Sequence, residues 1–190
     1  MGAGILPIAF HNGKLFFLFG KENKYNDTPG WADFGGGQDL GETVFECAIR
    51  EGTEELTGFL GSEAELKTMF RKNPKFTLKH GNYTTFFLLI DYNESLPFYY
   101  NNNQRFLQKK LSPSLIKNSK IFEKANIRWV PVNDLKSMRP QFRSYFKNII
   151  DMMLSQKESI RNFIEKKQKK STKTKTLKQK TRLNKTYRRK

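Results

Sequence analysis

The chain has 190 residues, a formal net charge of +17 and one cysteine, Cys47. A single cysteine excludes a disulfide framework and a multi-cysteine zinc site, and two histidines argue against a histidine-rich metal site. No apolar run reaches the roughly 18 residues that a membrane span requires, and no signal peptide is recognisable. We therefore expect an intracellular, cytoplasmic protein without a membrane partner.

The positive charge is distributed unevenly. Residues 157–190 hold 15 of the 35 Lys and Arg residues against two Glu, a net charge of +13, whereas residues 1–156 carry only +4. After Lys166 no apolar periodicity remains, which is typical of a disordered segment. We predict one domain over residues 1–165 and a disordered, lysine-rich tail over residues 166–190. Basic runs also serve as nuclear localisation signals, so a nuclear protein is the alternative.

The first third of the chain predicts a hairpin and a capped helix. Asn12-Gly13 separates the apolar runs 5–10 and 14–20, a strong hairpin signal. A polar loop over 21–30 precedes a short strand over 31–34 and a glycine cluster over 35–37. Thr43, with Glu46 three residues later, predicts a capping box and a helix to about Thr57. Gly58 is the predicted left-handed residue that ends this helix.

The rest of the chain predicts further strands and a second helix. Strands are expected over 66–70, 75–79, 83–92 and 127–132, with a long irregular connection over 93–120 and a short helical turn over 134–138. From Pro140 to Ile164, apolar residues recur at three- and four-residue steps and predict a helix that packs on a sheet. Strands and helices in this order predict an α/β protein with a mixed sheet flanked by helices.

Three carboxylates fall on one stretch of the first helix. Glu51 and Glu55 are four residues apart, and Glu54 lies three residues from Glu51, so that the like charges repel. A solvated helix surface is the simplest reading of such a pattern. A bound Mg²⁺ or Mn²⁺ would relieve the repulsion, since hard cations favour carboxylate oxygens. The preceding glycine cluster favours this second reading, because glycine lets backbone approach a metal or ligand closely.

The segment over residues 36–59 resembles the signature box of the Nudix hydrolases. Six residues stand in register with its fixed positions: Gly36, Glu42, Arg50, Glu51, Glu54 and Glu55. Two departures are present: Gly52 replaces an aliphatic residue, and Gly58 comes one residue late, with Thr57 in its place. The first departure predicts looser packing of the helix. The second lies after the last carboxylate and is expected to change only the helix end.

The resemblance implies a Nudix-like α/β/α sandwich and a role for each matched residue. Glu51, Glu54 and Glu55 would bind the catalytic Mg²⁺ or Mn²⁺, and the Gly36 region would add a backbone carbonyl. Arg50 would orient a box glutamate, and Glu42 would brace the loop. Glu51, Glu54 and Arg50 are thus the candidate catalytic residues of the box, and Gly58 is a structural one.

A further carboxylate beyond the box is typical of the family, in a loop shortly before a strand that carries Trp. Glu123 precedes Trp129 by six residues and is the candidate for this catalytic or metal-binding role. Glu94 is the second choice. An exposed loop glutamate is the plain alternative for both.

The substrate implied by the resemblance is a nucleoside diphosphate linked to another group. Tyr25, Phe98 and Tyr99 lie in predicted loops where a base could stack, and Lys79 could contact a phosphate. A lysine-rich tail binds phosphate backbones by releasing counterions. Together these features favour the 5′ cap of an RNA, with RNA held by the tail.

Other readings stay open. Small nucleotides are alternative substrates (ADP-ribose, NADH, dinucleoside polyphosphates or nucleoside triphosphates), as are diphosphoinositol polyphosphates. A non-catalytic Nudix fold that binds nucleotides or RNA is a further alternative, and only Gly52 and the displaced Gly58 support it.

Overall fold

The computed structural model describes residues 1–24, 28–73, 76–119 and 122–165, and the statements below refer to these ranges. The chain divides into two compact units, Met1–Ser155 and Gln156–Lys190. In the second unit residues 157–165 are helical, and Arg161 pairs with Glu165 at 3.0 Å. The tail expected over 166–190 lies outside the described residues, so its disorder and the boundary at 165 stay predictions.

Seven strands of the described part form one mixed sheet. They are β1 (Gly2–His11), β2 (Lys14–Glu22), β3 (Trp31–Ala32), β4 (Phe34–Gly37), β5 (Phe76–His80), β6 (Tyr83–Leu89) and β7 (Lys124–Pro131). The order is β3-β2-β1-β6-β5, with β4 paired to β1 and β7 paired to β2. The β1–β6 pair is parallel and the other pairs are antiparallel, which confirms the predicted mixed sheet.

The β1–β2 hairpin forms where Asn12-Gly13 predicted it. Both residues adopt left-handed backbone conformations, with φ of 48° and 73°. Such a turn matches the right-handed twist of the two strands. Its register pairs Phe10 with Leu15 and His11 with Lys14.

Helices cover both faces of the sheet. They are α1 (Val44–Glu55), α2 (Glu63–Lys72), α3 (Ser95–Lys110), α4 (Pro113–Asn118), α5 (Leu135–Met138) and α6 (Lys147–Ser155). On one face, Ala48 of α1 and Phe70 of α2 share a core with Ile5 of β1. On the other face, Phe19 of β2 packs against Phe142 and Phe146, just before α6. The resulting α/β/α sandwich confirms the predicted fold class. Within the described residues no helix is long and apolar enough to cross a membrane.

The strand predicted over 66–70 is wrong, because these residues belong to α2. Ser62 caps this helix and Glu65 completes a capping box, the same pattern that begins α1. Leu66 and Phe70 are both buried and lie four residues apart, which is the spacing of one helix face and not of a strand.

The irregular connection predicted over 93–120 is also wrong, because it contains α3 and α4. Leu96, Tyr100 and Gln104 are buried at four-residue steps along α3. Pro97 does not interrupt this helix because it lies in the first turn, where a missing N–H removes no intrahelical hydrogen bond. By contrast, the helix expected from Pro140 begins only at Lys147, after two short 3₁₀ turns at Arg139–Gln141 and Ser144–Phe146.

Candidate metal centre

The predicted capping box fixes the start of α1 and thereby its buried face. The Thr43 hydroxyl accepts a hydrogen bond from the Glu46 N–H, and the Glu46 carboxylate accepts one from the Thr43 N–H. Cys47 is buried against the sheet, and Glu51 and Glu55 follow it at four-residue steps. Both carboxylates are therefore carried into the interior, with exposed fractions of only 8% and 2%.

The end of α1 differs from the prediction by one residue. Leu56 is the C-cap, so Thr57 is the C′ residue, with φ of 48°, and Gly58 follows it with φ of 73°. The Thr57 N–H donates to the Glu54 carbonyl at 2.9 Å and the Gly58 N–H to the Thr53 carbonyl at 3.1 Å, a Schellman motif. A β-branched residue thus occupies the left-handed position where the box has glycine, and the extra residue lies beyond Glu55.

Gly52 brings α1 close to β1, so the looser packing expected from it is wrong. A Cβ atom at Gly52 would lie 2.6 Å from Cδ1 of Ile5, which is itself fully buried. Because Gly52 has no side chain, α1 and β1 approach each other so closely that no space remains for an aliphatic side chain at this position. The sequence alone could not reveal this, because Ile5 lies far from Gly52 along the chain.

Arg50 ties the loop before α1 to the helix. Its guanidinium donates to both carboxylate oxygens of Glu42, at 3.0 and 3.1 Å, and to the carbonyl of Gly37 at 3.0 Å. A further bond reaches Oε1 of Glu51 at 2.8 Å. The hydrogen bonds from Arg50 hold the pKa of Glu42 below its usual range, and both Glu42 and Glu51 raise that of Arg50. Arg50 thus links Glu42, Gly37 and Glu51, and the bracing role of Glu42 and the orienting role of Arg50 stay predictions.

Three carboxylates converge beside this clamp. Glu51, Glu55 and Glu123 can each offer an oxygen so that all three lie within 4.8 Å of one another. Glu123 comes from the residue before β7, the strand that carries Trp129. Glu54 is not in this group: its side chain is 34% exposed and lies 3.5 Å from Arg50. Glu94 lies at the start of α3, also outside the group.

Glycines let β4 approach these carboxylates closely. A Cβ atom at Gly36 would lie 2.6 Å from Oε1 of Glu51. The N–H of Gly35 donates to Oε2 of Glu55 at 2.7 Å. The close approach of Gly36 to Glu51 leaves no room for a side chain at that position, which is the property expected of the glycine cluster.

The electrostatics of the cluster favour a cation. Burial raises the pKa of Glu51, although Arg50 opposes this shift, and the nearby Glu123 raises it further. A divalent cation among the three carboxylates would stabilise their ionised forms. The donor set consists of carboxylate oxygens, which Mg²⁺ and Mn²⁺ prefer, so the residues present fit the cation that the resemblance implies.

A buried lysine, not foreseen from the sequence, lies behind the cluster. The ammonium of Lys124 is fully buried and lies 3.0 Å from Oε1 of Glu55. It also contacts Oε1 of Glu22, which in turn lies 3.0 Å from Nη1 of Arg143. Burial alone would lower the pKa of Lys124, but Glu55 and Glu22 outweigh it and raise the pKa. Lys124 is therefore a charged group in the protein interior.

A second unforeseen group is Asp33, between β3 and β4. Its carboxylate accepts hydrogen bonds from the hydroxyls of Tyr83 and Thr85, both at 2.8 Å. Burial nevertheless raises the pKa of Asp33 to about 6, since these bonds and the charge of Lys124 only partly offset the loss of hydration. In the sequence, the only sign of this buried carboxyl group is an acidic residue that stands between the apolar residues Ala32 and Phe34.

The candidate substrate residues lie at scattered positions. Phe98 and Tyr99 lie on α3, not in a loop, with exposed fractions of 64% and 62%. Lys79 is exposed on β5, an edge strand of the described sheet. Tyr25 lies outside the described residues. Their binding roles stay predictions.

Comparison with known proteins shows the family to which the chain is similar. A family model described as NUDIX domain matches residues 1–151. An uncharacterized protein of Acanthamoeba polyphaga mimivirus is 43% identical over 58 residues, a match that spans 29% of this chain and 19% of that protein.

Solved structures resemble this chain in fold. A C. elegans Ap4A hydrolase, in a binary complex, has a TM-score of 0.50 at 18% identity, covering 87% of this chain and 98% of that one. The Nudix hydrolase RenU of M. smegmatis has a TM-score of 0.50 at 16% identity, covering 84% and 86%. At such identities the likeness concerns the fold.

Proposed function

The chain belongs to the Nudix family, and we propose that it is a pyrophosphohydrolase that uses Mg²⁺ or Mn²⁺ to cleave the diphosphate of a nucleoside diphosphate linked to another group. The observation that supports this proposal is the convergence of Glu51, Glu55 and Glu123 within 4.8 Å. These three residues would hold the cation, and the Gly36 region would add a backbone carbonyl.

The reaction is attack of water on one phosphorus of the diphosphate, with cleavage of the bond to its leaving oxygen. When bound, the cation offsets charge on the diphosphate and lowers the pKa of a bound water. Arg50 keeps Glu51 oriented through its bond to Oε1. Glu123, which is less buried than Glu51 and Glu55, is the proposed acceptor of the water proton.

The proposed substrate is the 5′ cap of an RNA. The tail carries 13 Lys and Arg residues and no acidic residue over 166–190, which suits a polyanion longer than a nucleotide. Exposed Phe98 and Tyr99 on α3 are aromatic surfaces on which bases could stack, and α3 carries no acidic side chain. The proposed partner is therefore RNA, bound through the tail.

Small substrates are the second candidate. The C. elegans neighbour is named for Ap4A hydrolysis, and nothing in the carboxylate cluster favours a cap over a dinucleoside polyphosphate. ADP-ribose, NADH, nucleoside triphosphates and diphosphoinositol polyphosphates belong to the same panel. Mg²⁺-dependent product from any of these compounds would exclude a fold that only binds nucleotides.

A substrate panel distinguishes these candidates. Cap-labelled RNA and the small compounds are incubated with the full chain and with a chain that ends at residue 165, each with Mg²⁺ and with Mn²⁺. We expect cap release by the full chain, and its loss on truncation while activity on small diphosphates persists. Equal cap release by both chains would remove the tail from the proposal, and turnover of small compounds alone would overturn the cap assignment.

A further inference from the structure

Lys124 is a buried cation in direct contact with the candidate metal centre. Its side chain is 0% exposed, and its ammonium lies 3.0 Å from Oε1 of Glu55. The other oxygen of Glu55 accepts the N–H of Gly35 at 2.7 Å. Glu55 is thus held from within the protein through both carboxylate oxygens, whereas Glu51 is held by Arg50.

The surroundings of Lys124 are built to hold it in place. A Cβ atom at Gly20 would lie 2.8 Å from Cδ of Lys124, so glycine at this position leaves room for the lysine stem. The Tyr100 hydroxyl lies 2.7 Å from the Glu55 carbonyl and 3.2 Å from the Lys124 carbonyl. Tyr100 of α3 therefore contacts the backbone of both residues of the ion pair.

Charge balance gives this arrangement a consequence for the metal. Glu51, Glu55 and Glu123 bring three negative charges together when ionised. The positive charge of Lys124 offsets one of these negative charges at Glu55. The carboxylate of Glu22, which also contacts the ammonium, partly neutralises Lys124. In an interior of low dielectric constant, a fixed positive charge in contact with one of the three carboxylates strongly changes their affinity for a divalent cation.

We propose that Lys124 is a fixed internal cation of the metal centre, a positioning residue that holds Glu55 and limits how tightly the three carboxylates bind external cations. The inference rests on the proposed function, since it assumes that these carboxylates bind the metal. Lys124 does not reach the substrate in this account. It keeps Glu55 oriented and keeps the bound cation exchangeable.

Mn²⁺ binding to the full chain tests the proposal without any substrate. Electron paramagnetic resonance counts free Mn²⁺ in titrations of wild type and Lys124→Met, and circular dichroism checks that each is folded. We expect Lys124→Met to bind Mn²⁺ at least about tenfold more tightly, or to bind an additional ion, because one positive charge is removed. We also expect its kcat to fall, because Glu55 loses its partner. Unchanged or weaker Mn²⁺ binding by the folded variant would overturn the proposal.

Two further variants complete the design. Lys136→Met removes an exposed lysine from α5 and is expected to leave Mn²⁺ binding unchanged. Glu22→Gln keeps the side-chain volume and removes the competing carboxylate, so it is expected to weaken Mn²⁺ binding by about threefold. If Lys124→Met does not fold, Glu22→Gln provides the test. Weaker Mn²⁺ binding by Glu22→Gln supports the proposal, and unchanged or tighter Mn²⁺ binding contradicts it. Wild type that binds Mn²⁺ but hydrolyses nothing would instead contradict the proposed function.

Discussion

At the scale of single residues, Glu51 and Glu54 make different contacts although both belong to the box. Glu51 is buried in the three-carboxylate cluster, whereas Glu54 is partly exposed beside Arg50. We therefore expect Glu51→Gln to lower kcat by at least about 100-fold, and Glu54→Gln to lower it by less. Both variants remove the same charge from the same helix, so each is the control for the other. Equal losses would contradict the difference in roles.

Asp33 gives the fold a pH dependence of its own. Its pKa is raised from 3.8 to about 6 by burial, among Tyr83, Thr85, Tyr145 and the charge of Lys124. A raised pKa means that the fold favours the protonated carboxyl. Stability from this group is therefore complete below the unfolded pKa and is lost as the pH rises through about 6, by about 3 kcal/mol.

Asp33→Asn removes this titration while it keeps the volume of the side chain. We expect the free energy of unfolding of the variant, relative to wild type, to increase between about pH 4 and pH 6 and to stay level above. Urea unfolding at a series of pH values measures this difference. A difference that is independent of pH would show that the pKa of Asp33 is the same in the folded and unfolded states, and would contradict the raised pKa.

The sequence identified most residues of the centre but not these buried charges. Glu51, Glu55 and Glu123 could be selected because their spacing matches a known box and a known position before a Trp strand. Lys124 and Asp33 could not be selected in this way, because the local sequence around a charged residue does not show whether its side chain is buried or exposed. Whether it is buried depends on contacts such as that of Gly20 with the Lys124 stem, which link distant parts of the chain.

At the scale of elements, capping patterns mark the starts of α1 and α2 more clearly than apolar runs do. Thr43 and Glu46 correctly predicted the start of α1, and Ser62 and Glu65 begin α2 in the same way. The short apolar run that follows Ser62 fits a strand as well as a helix, because periodicity over five residues does not separate a strand from one helix face. The connection over 93–120 contains α3 although Pro97 stands in it, because Pro97 lies in the first turn of this helix.

Substitution of Gly52 tests the packing of α1 on β1, because this glycine allows the two elements to approach each other closely. Gly52→Leu restores an aliphatic residue but meets Ile5, so we expect it to destabilise the protein by about 1–3 kcal/mol despite a better helix propensity. Ile5→Ala in the same chain makes room for the new side chain. The two substitutions should then be non-additive by about 1 kcal/mol or more in urea unfolding. Simple additivity would show that Gly52 does not pack against Ile5.

At the scale of the whole molecule, the sheet brings together residues from distant segments. α1 supplies Glu51 and Glu55, and the residue before β7 is Glu123, which comes close to them because β7 pairs with β2 and β2 with β1. The sequence predicted a mixed sheet but not this order, since strand pairing depends on contacts across the chain. The basic tail over residues 166–190 is the feature that most supports the proposed binding of RNA.

The most direct test of the account is the turnover of the diphosphate panel by the full chain as Mg²⁺ is titrated from excess EDTA. Wild type should be inactive in EDTA and regain activity with Mg²⁺, because the proposed mechanism requires a cation at the carboxylate cluster. Glu55→Gln, folded by circular dichroism, should stay inactive throughout. Wild-type turnover in excess EDTA without added metal would contradict the account, as would full activity of Glu55→Gln.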